Sequence, residues 1–131
     1  MHWDKEISMQ TRQIPTSEWP VFFENFGRRH EGWLVKLEIL NADIGAQVEG
    51  TGLILEGLID EWNERTGNTI TIMAGNTPDD HLTHSISRPT EVSLELTDGG
   101  TDAALSIKSA DGTTALLTFG SGFLPETFDA L

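Results

Sequence analysis

The sequence predicts an α+β domain: a strongly curved antiparallel β-sheet or small β-barrel of about seven to eight strands, with one N-terminal amphipathic helix packed on it or plugging it. Three observations carry this. Trp19, Phe22, Phe23 and Phe26 recur at the spacing of one helix face. From Trp33 onward the apolar residues alternate in short runs, the period of strands with one buried face. The runs are separated by Gly-, Asn- and Asp-containing turns, too short for the crossovers that parallel strands need.

Each element follows from local chemistry. Residues 1–13 mix Trp3, Ile7 and Met9 with charges at no clear period, and read as a frayed arm or a short edge strand; residues 14–131 read as one domain. Thr16 or Ser17 can cap a helix, Glu18 suits its positive end, and Pro20 is tolerated in its first turn. Gly27 predicts the helix end, with Arg28, Arg29 and His30 favourable beside the negative pole. Trp33, Val35, Leu37 and Ile39 then share one face of a strand. Residues 46–50 and 53–62 read as two strands around the Gly50-Thr51-Gly52 break, with Gly57 marking a bulge or bend. Ile70 and Ile72 face one way on the strand over 69–74. Arg88-Pro89 interrupts the ladder, and Val92, Leu94 and Leu96 point inward on the next strand. Leu105 and Ile107 do the same before the Asp111-Gly112 hairpin, whose residue pair readily supplies positive φ angles. The apolar tail from Phe123 to Leu131 is expected to cover one end of the sheet.

Composition narrows the partners. Eight Lys and Arg against twenty-one Asp and Glu leave a net charge of −13. That balance repels a phosphate backbone, so nucleic acid is not an expected partner. Anionic membrane surfaces are disfavoured for the same reason. No apolar run approaches the ~20 residues of a membrane span. There is no cysteine, which removes disulfides, thiolate nucleophiles and cysteine-based zinc sites. The cytoplasm is the expected compartment, since the N-terminus lacks the pattern of a signal peptide.

Polar chemistry concentrates in one stretch, residues 75–86. The ligand or interaction candidates are Asn76, Asp79, Asp80, His81 and His84. Carboxylate and imidazole could ligate a divalent metal or exchange protons. Strand alternation argues against a shared metal, because His81 and His84 lie three apart and should face opposite sides of the sheet. Pro78-Asp79-Asp80 has turn chemistry. No nucleophile elbow, phosphate loop or His-Glu-x-x-His motif is present. The sequence therefore assigns no catalytic residue, metal ligand set or cofactor. The expected function is a non-catalytic binding or protein-interaction module for a basic protein partner or a small molecule. The alternative is a β-barrel that binds a small molecule or divalent metal, with a hydrolytic step run from the Asp79–His84 loop.

Several segments resemble a family of small acidic bacterial proteins that is a domain of unknown function. They are Glu18-Trp19, Phe22-Phe23, Phe26, His30 and Gly32-Trp33-Leu34-Val35; Asp43 through Glu49; Thr77-Pro78-Asp79-Asp80-His81 with Thr83-His84; and Ser109 through Thr113. The resemblance covers roughly residues 13–120. It implies one intact bacterial cytoplasmic domain and brings no activity, cofactor or catalytic residue with it.

Overall fold

The computed structural model describes residues 9–77 and 80–120. Strand β1 (Met9–Ile14) leads through a short 3-10 turn into helix α1 (Trp19–Arg29). Seven strands follow: β2 (Leu34–Asn41), β3 (Gly45–Asn63), β4 (Gly67–Thr77), β5 (Asp80–Ser87), β6 (Pro89–Thr97), β7 (Asp102–Ser109) and β8 (Thr114–Phe119). All eight strands form one antiparallel sheet in the order β1-β6-β7-β8-β2-β3-β4-β5, so β1 and β5 are its edges. Of the two forms expected, the sheet is the open one. The predicted tail, Phe123–Leu131, lies outside the described residues. No helix among the described residues is long and apolar enough to cross a membrane.

The curvature follows from connectivity. β5 and β6 sit six places apart in the sheet, which in a flat sheet is roughly 29 Å. Yet one residue, Arg88, joins them, and it can span only about 7 Å between the flanking Cα atoms. The sheet must therefore roll over on itself. Arg88 turns this corner at φ 49°, and its backbone is held at both ends: its N–H donates to Asn68 O at 3.1 Å, and its carbonyl accepts from Ala110 N–H at 2.9 Å.

Alternation places the core on the concave side. Val35, Leu37 and Ile39 of β2, Ile70, Ile72 and Ala74 of β4, Leu105 and Ile107 of β7, and Ala115, Leu117 and Phe119 of β8 are all buried there. Trp19, Phe23 and Phe26 of α1 pack against them, with Phe22 half-buried at the margin.

Two local expectations are corrected. The helix does not end at Gly27; it runs to Arg29, with His30 as its C-terminal cap. Gly27 is needed instead for close approach, because a Cβ there would lie 3.2 Å from Leu58 N on β3. The left-handed position falls to Gly32, at φ 89°. Likewise, Gly50-Thr51-Gly52 does not separate two strands. β3 runs through it, and the pairing with β2 slips by one residue on each side of the Leu37–Gly50 pair. A third slip, between Leu55 and Gly57 against β4, is the bulge that Gly57 signalled. It shifts the inward phase from Leu53 and Leu55 to Leu58.

Candidate functional site

The rolled sheet stops short of closing at β5. Among the described residues, no strand pairs with β5 on the side away from β4. Only its end touches the β7–β8 hairpin, where the Ser109 hydroxyl donates to Ser87 O at 2.7 Å. Between the two lies a cleft of about 210 Å³, lined by His84, Ser85, Ile86, Ser87, Ser109, Asp111, Thr113 and Ala115. Buried Ile86 and Ala115 form an apolar floor. Hydroxyls, an imidazole and a carboxylate ring it. The Thr113 N–H donates to Asp111 at 2.9 Å, and this bond, helped by the Thr113 and Ser109 hydroxyls and the Arg88 charge, holds the carboxyl below its ordinary range. The cleft therefore keeps a negative charge at neutral pH.

The residues of the 75–86 stretch separate as strand alternation requires. His84 pairs with Ile72 and lies half-buried on the concave face, in the cleft. His81 pairs with Gly75 and is exposed on the convex face, its Nδ1 3.3 Å from Glu56 Oε1. That contact is solvated on both sides and adds little to stability. The two imidazoles do not converge, and no cluster of three or more metal-binding side chains occurs among the described residues. Asn76 lies in β4 and Asp80 begins β5; Asp79 falls outside the described residues. The cleft partners Ser109, Asp111 and Thr113 were read from sequence only as a hairpin. Nothing local connects them to His84, twenty-five or more positions earlier.

A second polar cluster lies at the end of α1. His30 is buried at 1% exposure, stacked between Phe26 and Phe119 and edge-on to Trp33. Its Nδ1 is 2.8 Å from Phe26 O, and its Nε2 is 2.9 Å from Asp102 Oδ2 at the start of β7. The sequence pointed to His30 as a helix-end residue, but nothing singled out Asp102. This pair ties the helix to the half of the sheet that β3 does not reach.

Asp60 sits beside Leu58 under Pro20 and Glu24 of the helix, accepting from Asn68 Nδ2 at 3.1 Å. Burial raises its carboxyl above the ordinary range. A carboxyl that holds its proton more tightly folded than unfolded favours folding at acid pH. That contribution is lost as pH rises through the carboxylate range. Asp60→Asn, which keeps an acceptor for Asn68, should therefore raise the thermal midpoint modestly at pH 7 and leave it unchanged near pH 3. Melting curves at the two pH values check both arms.

An open, rolled antiparallel sheet with a capping helix and, among the described residues, an unpaired edge beside a polar cleft defines a small α+β scaffold. The chain belongs to a family of unknown function (DUF5335), whose model matches residues 10–124. Comparison with curated proteins and with solved structures gives no match.

Proposed function

We propose that this domain is a non-catalytic protein-interaction module that receives an extended, basic segment of a partner along β5. The carrying observation is an edge strand that, among the described residues, is left unpaired beside a cleft. Natural edges are blunted by Lys, Pro, bulges or a covering element. From His81 to Ser87, β5 has no Lys and no Pro, and among the described residues it has no cover beyond the Ser87 contact. An added strand would satisfy its outward N–H and C=O groups, and alternate side chains of that strand would enter the cleft. The charge of −13, Glu56 beside His81 and ionised Asp111 in the cleft favour a basic partner over a second, equally acidic copy. The bacterial cytoplasm is taken as its setting, on the resemblance noted above.

A defined probe tests the proposal. A seven-residue peptide alternating Lys and Val should perturb the amide resonances of residues 81–86, and Ser85→Lys should weaken its binding about tenfold or more. The same peptide interrupted by Pro should not bind. Equal binding of the interrupted peptide, silence of the β5 amides, or dimerisation of the free chain through β5 would overturn it.

A further inference from the structure

A different face carries a second site. A cavity of about 550 Å³ lies between β1 and the outward side of α1. It is lined by Arg12, Ser17, Glu18, Val21, Phe22, Asn25 and Arg29, and shares no residue with the β5 cleft. Its volume is in the range of small-molecule sites. We propose that this groove binds a small organic carboxylate with an aromatic or aliphatic body.

The charge is the first argument. The chain has only eight Lys and Arg in all, yet two guanidinium groups face this one groove against a single acid, Glu18. In a protein of net charge −13 the groove gathers two of the eight Lys and Arg side chains.

The state of the two arginines is the second. Arg12 makes no ion pair or side-chain hydrogen bond among the described residues. Arg29 is held in place at one side and 61% exposed: its guanidinium carbon lies 5.5 Å from the Phe26 ring centroid, and its Nη1 is 3.8 Å from Asp102 Oδ2. The Asp102 oxygen is committed at 2.9 Å to His30, so most of the Arg29 donor capacity remains outward. Guanidinium forks match the two oxygens of a carboxylate.

The walls supply the third. Half-buried Phe22 and exposed Val21 offer an apolar surface beside the arginines, while Ser17 and Asn25 add neutral donors. A ligand with a charged head and an apolar body uses both; an inorganic anion would use only the first.

Titration of the full chain with 3-phenylpropionate, followed by amide resonances, tests this. The acid should perturb Val21, Phe22 and Asn25, and Arg12→Gln or Arg29→Gln should each weaken it about 10- to 100-fold. Arg65→Gln, remote from the groove, should leave it unchanged, and the neutral 3-phenylpropanamide should not bind. An otherwise unaltered spectrum of Arg12→Gln keeps the comparison clear of folding effects. Absence of perturbation in the groove, equal binding of the amide, or full binding by the Arg12→Gln, Arg29→Gln double variant would overturn the proposal.

Discussion

Asp102→Ala should cost about 2–4 kcal/mol of stability, whereas Asp102→Asn should cost about 1 kcal/mol or less. The asymmetry follows from counting protons. Phe26 O can only accept, so His30 Nδ1 carries a hydrogen and donates it. Nε2 faces an Asp102 oxygen at 2.9 Å, so one proton must lie in that contact, whichever atom holds it. Removing the carboxylate leaves Nε2, on a ring buried among Phe26, Phe119 and Trp33, without its protein partner. Asparagine repairs the loss, because its amide N–H can donate to an unprotonated Nε2 while Nδ1 keeps its bond to Phe26 O. Urea unfolding with an unchanged m-value measures both variants. Equal losses for Ala and Asn would mean that charge, not hydrogen bonding, secures the helix end.

The distance between what local sequence shows and what it hides is clear in these elements. The alternation of Val35, Leu37 and Ile39 and the turn at Asp111-Gly112 are local, and they were legible. So was the splitting of His81 from His84, which needs only a strand. Gly27 was misread because a helix end and a close helix–strand approach both call for glycine, and only the position of Leu58 decides between them. Gly50-Thr51-Gly52 misled for a similar reason: glycines that terminate strands also permit bulges inside them. The sheet order lay beyond local reasoning altogether. Nothing in Ser87-Arg88-Pro89 reveals that one residue joins strands six places apart, and it is this roll that brings Asp111 to His84.

The same roll fixes how the free edge and the helix relate. α1 packs chiefly on β3, toward the β5 side of the sheet, and reaches β7 on the other side through His30 and Asp102. The two halves are thus bound by the helix at one place and by the Arg88 corner at another. The β5 edge between Asp80 and Ile86 lies outside both fastenings, so a partner strand could pair there without unpacking the core.

Gly120→Ala should be the most damaging of the small substitutions, at about 2–3 kcal/mol. Gly120 follows β8, where a Cβ would stand 2.5 Å from both Leu34 Cβ and Leu34 O, and 2.9 Å from Leu34 C. Two of those atoms are backbone, so no side-chain rotation relieves the clash. Retreat is blocked on both strands. Val35 pairs with Phe119 in the β2–β8 ladder, and the Phe119 ring is fixed by Phe26, His30 and Trp33. Any shift that admits the methyl group must therefore move the cluster that holds the helix end. Gly99→Ala is the control: its φ is not in the left-handed region, and the nearest atom to its Cβ would be Thr97 Oγ1 at 3.9 Å, so its effect should stay within about 0.5 kcal/mol. Denaturation midpoints of the two variants decide the matter. Equal, small losses would show that β8 and β2 can separate near Gly120 without disturbing the aromatic cluster.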